Sequence, residues 1–598
     1  MRPAIDLNPR VTNDREALGQ MFDRIVALDE SSRDTLRRRG AKGNGTTDDA
    51  SAVQTAFRNN RITTIDGEGL TYNIGSATTF NDRTAWLIVR NATFSYSASG
   101  GVMFTSNGSI GSAVTPSNIS AGDSTATFTS TSGHAKRDWH LFRSANVWGN
   151  GGTTHGEWNM VRSVDSATVN TYERQFHLDY DSTPEVYTPT LQPGIAFINC
   201  HFIGGGDADD EDALTVTFTE NFIVQNCTFK DFARRCASST SNVYCHHSGN
   251  RYLNGDDATG LAYGSMITRE HEAAHVSDCH GQGLRHVVTC GGSTGITWNI
   301  GISNITGSAC TESVVDCHEG TAHVTISNVE ATFANTQSSS EGDGLTIQGA
   351  YNTISNVNLK GSERHGLLAQ LNTAAPNDFL SVRNLNATDW GTNTTGSNSL
   401  VNLSFRKDNS AVMDFVHIQA SGSSSSSNSR GVTVTSHSEH SGGAIDMLNI
   451  ELDVECASRC VSWDAGSASY TINKARFGGG PWETTGSTEA FFISGNANVN
   501  FTHVLVDPAM IIGGTHAVEN DQSTVITYVY KRASGQTTGL VDGEIELHGM
   551  PTFTVAGVPD VSANEGRMIY VSDETGGAVP AFSAGTDWRR ATDLARVS

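Results

Sequence analysis

A short pattern of apolar and polar positions recurs through the middle of the chain. It consists of an apolar residue, any residue, Asn or Asp, and then an apolar residue or Cys. The copies are Phe197–Cys200, Val224–Cys227, Val276–Cys279, Ile302–Ile305, Ile326–Val329, Ile354–Val357 and Val382–Leu385. Their Asn or Asp positions follow at intervals of 24–28 residues, apart from one double interval of 52 residues with a degenerate copy near Asn250. A period of this length predicts a solenoid of stacked coils.

The same periodicity predicts an all-β chain. Each coil would hold about three short strands separated by turns, and neighbouring coils would stack ~4.8 Å apart, the ordinary spacing between strands. The apolar positions then point into one continuous core, and Asn side chains of successive coils can form a hydrogen-bonded ladder. Weaker copies at Asp446–Ile450 and Val499–Phe501 extend this parallel β-helix to about residue 510.

The start of the repeat region carries a second signal. A glycine-rich turn, Gly40–Asp49, leads into the helical stretch Ala50–Phe57, and Asp48 or Asp49 can cap that helix. The helix would cover the first coil, whose edge would otherwise be unpaired. These residues resemble the opening motif of pectate-lyase-like β-helices in bacteriophage tailspikes. The resemblance implies a right-handed parallel β-helix and a tailspike or tail-fibre polysaccharide depolymerase.

These signals divide the chain into three parts. Residues 1–39 are expected to form a helical stem for virion attachment. Residues 40–510 form the β-helix, with a capping helix near 48–58 and a β-rich insertion at about 110–190, where the coil period breaks. Residues 511–598 end in a segment that looks like the C-terminal β-module of phage fibres, so assembly or trimerisation is its expected role.

The helical stem depends on a short pattern. Residues 11–39 are helical in character, with Asn13 and Glu16 forming a capping box before apolar residues at heptad spacing. Two heptads fit a short trimeric stalk, as the tailspike resemblance implies. They fit equally well one amphipathic helix that lies on a neighbouring surface.

Composition narrows the possible partners. The chain has 39 Lys and Arg against 63 Asp and Glu, a formal charge of −24. Such a surface repels phosphates, so nucleic acid and anionic lipid are not expected partners. No apolar run approaches the ~18–20 residues that span a bilayer, so membrane insertion is not expected. The N-terminus lacks the apolar core of a signal peptide, so we expect synthesis in a host cytoplasm and release by another route, such as lysis.

The tailspike resemblance adds what composition leaves open. It implies a virion protein of the phage tail that acts at the bacterial cell surface and binds a surface polysaccharide. It also implies contact with tail or baseplate proteins through the N-terminus, and a homotrimer. No cofactor is expected.

The ten cysteines do not point to a metal or to disulfides. Cys200, Cys227 and Cys279 occupy a repeat position that is apolar in other coils, so they are expected to be buried thiols. Zinc ligation by Cys245 with its two neighbouring histidines is a second interpretation for one group, although the spacing is not that of a zinc motif. Synthesis in the cytoplasm argues against disulfides.

Candidate chemistry concentrates on one predicted face. We align Leu284, Val315, Leu345 and Leu367 as inward residues of successive coils, which makes the following residue of each coil point outward. Polar and titratable groups then converge over about four coils. The outward positions hold Arg285, Asp316, His318 and Gln348, and Glu319 follows His318 directly. The loops before the strands hold Glu312, Glu341, Asp343, Arg364 and His365.

Glycoside hydrolysis requires two carboxyl groups, one as acid and one as base or nucleophile. The leading pair is Asp316 with Asp343 or Glu312, and Glu341 is in reserve. Adjacent coils would place such groups about 5 Å apart and two-coil pairs roughly 7–10 Å apart, which covers both known stereochemical classes. His318 is a further catalytic candidate.

The remaining members of the face are candidates for substrate binding. Arg285, Arg364 and His365 suit hydroxyls or acidic sugars, and Glu319 and Gln348 extend the polar face. The same residues permit a lyase, in which His318 or His365 acts as base and Arg285 or Arg364 neutralises a uronate. They also permit a spike that binds the glycan without cleaving it, or a purely structural fibre whose loop carboxylates are solvated.

Overall fold

The computed structural model describes residues 33–148, 152–205, 211–255, 261–292, 294–333, 342–371, 378–392, 398–405, 412–436, 444–464, 470–485, 489–493, 499–501, 504–513, 518–520, 527–528, 540–541, 552–561, 568–574, 579–583, 586–590 and 597. Most of the predicted stem lies outside these residues. The part that is described, from residue 33, is a strand of the first coil, so the β-helix begins earlier than residue 40.

Two large parallel sheets form the wall of a right-handed parallel β-helix, as the repeat and the resemblance predict. The first, called the long sheet, has 24 strands among the described residues: Arg33–Thr35, Asn44–Asp48, Thr64–Asp66, Thr71–Ile74, Leu87–Arg90, Thr93–Tyr96, Ile195–Ile198, His201–Ile203, Asn221–Gln225, Thr228–Lys230, Tyr244–Ser248, Arg251–Leu253, Ala273–Ser277, His280–Gln282, Thr297–Cys310, Thr321–Phe333, Asn352–Lys360, Asp378–Thr388, Val412–Ser423, Ala444–Cys456, Tyr470–Thr484, Val499–Phe501, Val504–Gly513 and Thr527–Tyr528.

The second, called the site sheet, has 15 strands within the described ranges: Thr78–Thr79, Gly101–Asn107, Glu211–Thr217, Arg235–Thr240, Tyr263–Thr268, His286–Cys290, Val315–Cys317, Leu345–Ile347, Leu367–Leu371, Asn398–Phe405, Ser429–Ser436, Val461–Asp464, Phe491–Ile493, Val518–Asn520 and Leu540–Val541. Each strand pairs in parallel with the equivalent strand one coil away. Residues far apart in the sequence therefore become neighbours across one strand spacing.

The bend within each coil of the long sheet lies at the repeated Asn or Asp. These residues adopt the left-handed backbone conformation, for example with φ of 54° at Asn304 and 55° at Asn328. Their amides form a ladder across coils, in which Asn304 donates to Asp278 at 2.8 Å and Asn328 donates to Asn304 at 2.9 Å. Asn356 continues it by donating to Asn328 at 3.1 Å. Asn tolerates this backbone conformation better than most residues, which explains its recurrence.

One α-helix, Ala50–Arg58, closes the start of the solenoid. It buries Val53, Ala56 and Phe57, and the Phe57 ring packs against the aromatic core of the first coils, with its centroid 5.3 Å from that of Phe80. The Asp48 carboxylate accepts from the first helical N–H, at Ala50, at 3.0 Å. Two 3-10 helices, Arg37–Arg39 and Val555–Gly557, are the other helices among the described residues.

A six-stranded sheet interrupts the coils and packs on their outside. Its strands are Ala113–Val114, Thr125–Thr127, Trp139–Val147, Thr154–Val164, Val169–Tyr172 and Glu185–Tyr187, all antiparallel. We call it the insertion sheet. Its apolar side shares one buried cluster with Ile296, Trp298, Ala322 and Ala350 of the solenoid wall. The insertion is therefore fixed by apolar packing to coils that follow it in the sequence.

The last described part is a separate small sheet. Its strands are Thr552–Phe553, Met568–Val571, Val579–Ser583 and Trp588–Arg590. They bury Ile569, Val571, Ala581 and Trp588 in a cluster of their own.

The solenoid interior is one continuous core. Apolar residues from residue 36 to residue 511 form a single buried cluster, and like side chains stack on successive coils, as Phe202 does on Phe229 with ring centroids 4.7 Å apart. All ten cysteines are buried free thiols, including the three at the repeat position. The degenerate copy near Asn250 places Gly249 at the bend and the Asn250 side chain inside, where its amide bonds to the backbone of Cys227 and Val224.

Candidate active site

Four neighbouring strands of the site sheet position the predicted site residues: Asp316 lies within a strand, and the other described ones lie in the segments that flank the strands. In their register Val288, Val315, Leu345 and Leu367 lie side by side, all buried. The alignment of Leu284 with Val315 is therefore wrong by four residues. Leu284 is also buried, but in the turn before the strand, because coils of this solenoid differ in length at their corners. Thr289, rather than Arg285, is the neighbour of Asp316.

Asp316 lies at the centre of the outer wall. Its Oδ2 is 2.9 Å from His318 Nε2 and 3.5 Å from His286 Nε2. Its Oδ1 is buried and has no hydrogen-bond partner among the described residues. Burial raises the pKa of Asp316, but His318, His286 and Arg285 outweigh burial, so the pKa lies below its ordinary value. Asp316 is therefore a buried carboxylate that stays ionised.

His318 is the exposed partner of Asp316, with 47% of its side chain accessible. Burial of part of the ring lowers the pKa of His318, but the hydrogen bond and charge of Asp316 outweigh it and raise the pKa above its ordinary value. The pair thus forms an Asp–His dyad in which the imidazole faces solvent and can hold a proton at neutral pH.

Glu312 reaches the same place from the preceding loop. Its Oε2 is 2.7 Å from Arg285 Nε, and Arg285 Nη1 donates to the Tyr263 hydroxyl at 3.3 Å. The same Oε2 lies 3.5 Å from His286 Nε2, the nitrogen that also faces Asp316. Glu312 Oε2 and Asp316 Oδ2 are therefore at most 7.0 Å apart, because each lies 3.5 Å from the same nitrogen. Arg285, although misaligned in the sequence-based register, still reaches the site through its long side chain.

Asp343 is held in a different way. Arg364 binds both of its oxygens, with Nε to Oδ1 at 2.8 Å and Nη2 to Oδ2 at 2.5 Å, and the His365 N–H donates to Oδ1 at 3.3 Å. Burial raises the pKa of Asp343, and Arg364 only partly offsets this. Both oxygens are thus occupied, which suits a structural carboxylate better than an acid or base that contacts substrate.

His365 lies beneath the surface. The Ser399 N–H donates to its Nδ1 at 3.1 Å, and its Nε2 is 3.0 Å from the side-chain amide of Asn402. Burial lowers the pKa of His365 to about 3, so the ring is neutral. Because Nδ1 accepts, Nε2 bears the proton and the Asn402 amide must offer its oxygen there.

The other predicted residues flank this group. Glu319, next to His318, accepts from the Thr153 hydroxyl of the insertion at 2.9 Å. Gln348 is half-buried one coil on, and its backbone N–H donates to the Cys317 carbonyl at 2.7 Å. Glu341 lies outside the described residues. The structure therefore brings Glu312, Asp316 and His318 together with Arg285, while Asp343, Arg364 and His365 form an adjacent group.

Sequence reasoning missed three residues of this site. His286 stands between the two carboxylates, Tyr263 stacks on the His286 ring with centroids 5.5 Å apart, and Thr153 joins the insertion to Glu319. A correct register would have found His286, since it begins the strand next to Val315–Cys317. No sequence signal points to Thr153, because the insertion contacts this coil only through tertiary packing.

The described residues hold no group of three or more His, Cys, Asp or Glu arranged for a metal ion. At the residues considered for zinc, Cys245 Sγ lies inside the core, 3.4 Å from His247 Nε2, while His246 stacks on His275 of the next coil. Successive residues of a strand point to opposite faces, so the three cannot converge. Among the described helices, none is long and apolar enough to cross a membrane.

No protein-family profile and no curated protein sequence matches the chain. Solved structures do. The chain is similar to the Gp54 tailspike of Acinetobacter baumannii bacteriophage AP22, a structure in complex with A. baumannii capsular saccharide, at 14% identity over 80% of each chain and a TM-score of 0.53. It is also similar to tailspike gp49 of Pseudomonas phage LKA1, at 15% identity over 79% of this chain and 82% of that one, with a TM-score of 0.41.

These observations define a parallel β-helix that carries a cluster of charged side chains, Arg285, Glu312, Asp316 and His318, on its outer wall. The likeness to the AP22 tailspike shows that this chain has the fold of a phage tailspike.

Proposed function

We propose that the chain is a phage tailspike that binds a bacterial surface polysaccharide, such as capsule, exopolysaccharide or O-antigen, and cleaves it by endo-acting hydrolysis. The observation that supports this most is the convergence of Glu312 and Asp316 on one nitrogen of His286, on the outer wall. The AP22 tailspike, which has the same fold, was solved with a capsular saccharide. A long outer wall is also a suitable surface for a linear glycan.

In this proposal the two carboxyl groups share the chemistry. Asp316, which has a lowered pKa, acts as base or nucleophile, and Glu312 delivers the proton to the departing sugar oxygen. His318 holds Asp316 in place and binds sugar hydroxyls from its exposed side. Asp343, Arg364 and His365 support the wall, and Glu319 and Gln348 line its edges.

Hydrolysis is favoured over β-elimination because of where the cations lie. A lyase needs a cation that can neutralise the uronate carboxylate of its substrate. Arg285 already binds Glu312 at 2.7 Å, and Arg364 already binds both oxygens of Asp343. The proposed substrate is therefore a neutral or weakly acidic glycan, in keeping with the net charge of −24.

The test uses capsule or O-antigen from a panel of host strains. We expect new reducing ends, products that carry one oxygen from isotopically labelled water, and no absorbance from unsaturated uronates. Asp316→Asn should lower kcat/KM at least ~100-fold, as loss of a general base or nucleophile does. Asp446→Asn, an exposed acid on the long sheet, is the matched control and should leave the rate unchanged. Unsaturated products would indicate a lyase, and binding without product would indicate a receptor-binding spike.

We further propose that the chain works as a homotrimer attached to the tail through its N-terminal residues, with synthesis in the host cytoplasm. An exposed apolar strip on the long sheet supports self-association. Phe379 stacks on Phe415 with centroids 5.1 Å apart, and Phe415 and Met447 are 37% and 50% exposed. Because the stacked rings cover each other's faces, the strip presents ring edges, which suit a second protein chain better than a sugar ring.

Light scattering tests this assembly. The unchanged protein should form particles with the mass of three chains in solution. Phe415→Ser combined with Met447→Ser should lower the particle mass. Val164→Ser, which removes an apolar residue that is 39% exposed on the insertion sheet, is the control and should not change it. A monomer for the unchanged chain would contradict the assembly.

A further inference from the structure

His286 has one nitrogen whose protonation is fixed. Its Nδ1 lies 2.6 Å from the Ser313 carbonyl oxygen, and a carbonyl can only accept, so Nδ1 bears a proton. The state of the ring is then decided at Nε2. That nitrogen is buried and lies 3.5 Å from Glu312 Oε2 and 3.5 Å from Asp316 Oδ2.

These three atoms define what we call the proton triangle: His286 Nε2, Glu312 Oε2 and Asp316 Oδ2. If the triangle held no proton, a nitrogen lone pair and two carboxylate oxygens would face one another in a buried space. Each oxygen already has a donor on its outer side, but without a proton in the triangle nothing would separate the three lone pairs on the inner side, and their repulsion is costly away from water. One proton in the triangle removes the conflict, whether it is bonded to the nitrogen or to an oxygen.

We propose that the proton triangle holds one proton in the resting protein, and that this proton is the one transferred to the departing sugar oxygen. The inference rests on the proposed hydrolysis and deepens it. His286 acts through its neighbours and is a positioning residue: it contacts both carboxyl groups, while Glu312 and Asp316 face the substrate.

The charged groups around the triangle are consistent with one proton. Arg285 pairs with Glu312, and His318 pairs with Asp316, so each carboxylate has a cation on its outer side. Tyr263 covers the His286 ring, and Asp343 acts on Asp316 from the next coil. Burial, together with Arg285 and His318, lowers the pKa of His286 more than Asp316 and the Ser313 carbonyl raise it, so the pKa of the ring itself lies below its ordinary value. A proton that leaves the nitrogen therefore has two carboxylates beside it to accept it.

The reaction balances without any further reagent. The proton leaves the triangle through Glu312 and bonds to the glycosidic oxygen as the bond from that oxygen to the anomeric carbon breaks. Water supplies a hydroxyl to the anomeric carbon and a proton to Asp316, which returns the triangle to its starting state. One water is consumed for each bond cleaved.

His286→Gln tests the proposal through catalysis. The Gln amide fills the site and donates to both carboxylates, but it cannot gain or lose a proton near neutral pH. We expect kcat to fall about 100-fold with KM changed less than about 3-fold, the split that marks loss of proton transfer rather than of binding. The wild-type rate should fall as pH rises through the pKa of the triangle, and the variant should lose that limb. If the rate of His286→Gln fell with rising pH over the same range as that of the wild type, the proposal would be overturned.

The matched control is His280→Gln, which replaces a half-buried histidine on the same coil that bonds to Thr306 at 2.8 Å. Its pH profile should match that of the wild type.

A second readout does not depend on activity. A triangle that keeps its proton at neutral pH has a folded pKa above the value of about 6.5 for an unfolded histidine, so wild type gains stability over His286→Gln at low pH, and this gain is lost as pH rises through the triangle's pKa. The difference between their unfolding midpoints, measured across pH, should therefore shrink with rising pH. A constant difference would overturn the inference even for an active enzyme. The two midpoints could also approach each other with rising pH in a protein that cleaves no glycan. That result would support the proton in the triangle and refute both the hydrolysis and the transfer of the proton to the sugar.

Discussion

Two buried aspartates of the site differ in which of their oxygens are occupied. Asp343 has both oxygens bound by Arg364, and burial raises its pKa. Asp316 has one oxygen shared between two histidines and the other without a hydrogen-bond partner among the described residues, and its pKa is lowered. An unmatched buried oxygen is costly and is common at functional sites, so Asp316 is the stronger candidate for chemistry.

The Asp343–Arg364 pair should matter for stability. Asp343→Asn removes the buried charge that binds Arg364, whose own side chain is 31% exposed, so the cost should lie below that of a fully buried pair, at about 1–3 kcal/mol. We expect this loss in urea unfolding, with kcat reduced less than ~10-fold at a temperature where the variant is folded. A variant that is as stable as the wild type but inactive would instead place Asp343 in the reaction.

Asp316 also makes stability depend on pH. Its folded pKa is below the unfolded value of about 3.9, so the stability that it contributes is present above that value and is lost as pH falls through the folded pKa. The unfolding midpoint of the wild type should fall between about pH 5 and pH 3, and that of Asp316→Asn should fall less over the same range. An identical acid dependence in the two proteins would contradict this.

At the scale of elements, the bends of the long sheet test what the repeated Asn does. Asn328 has φ of 55°, donates to Asn304 and accepts from Asn356. Asn328→Gly keeps the backbone relaxed and removes both ladder bonds. Asn328→Ala removes the same bonds and adds the strain of a left-handed Ala, about 1 kcal/mol more. Denaturant titration should rank the wild type above the Gly variant and the Gly variant above the Ala variant. Equal stability of the two variants would show that the backbone at this bend is unstrained.

The capping helix is tied to the first coils by Arg83. Arg83 is 4% exposed, and its guanidinium donates to the backbone carbonyls of Phe57, Asn59 and Ile62, at and after the end of the helix. It also donates to the carbonyls of Ala85 and Trp86, just after Arg83 in the chain. Burial lowers the pKa of Arg83 to about 10, which still leaves the group charged.

Arg83→Met leaves these carbonyls without their donor. We expect a loss of at least about 3 kcal/mol in chemical unfolding, because each unsatisfied buried group costs about 1–3 kcal/mol. Arg58→Met, an exposed change on the same helix, should cost much less. Comparable losses would mean that the Arg83 bonds contribute little.

The sequence repeat predicted the strands and bends correctly in coils of regular length, and it predicted them less well in coils whose corners differ in length. The Asn bends, the stacked core and the interior Cys200, Cys227 and Cys279 follow from a fixed repeat. The register at the site did not follow, because Arg285 and His286 come after a corner of different length. A shift of four residues keeps the inward and outward alternation, so the pattern alone gave no warning.

At the scale of the whole molecule, the site lies where the insertion sheet meets the solenoid. Thr153 bonds both to Glu319, at 2.9 Å, and to the Gly292 carbonyl, at 3.0 Å. Residues more than a hundred positions apart in sequence thus border one surface. Their proximity is a consequence of packing between the insertion and the coils, which no periodicity encodes. The insertion therefore borders the wall beside His318.

The proposed hydrolysis requires Glu312 and Asp316 to act as one unit, and comparing the two single variants with the double variant measures this most directly. The rates of reducing-end formation on the susceptible glycan would be compared for Glu312→Gln, Asp316→Asn and both together. Two groups of one catalytic unit give losses that do not add, so the double variant should be about as slow as the slower single variant. Losses that multiply would mean that the two carboxyl groups act independently, and full activity in either single variant would place the chemistry elsewhere.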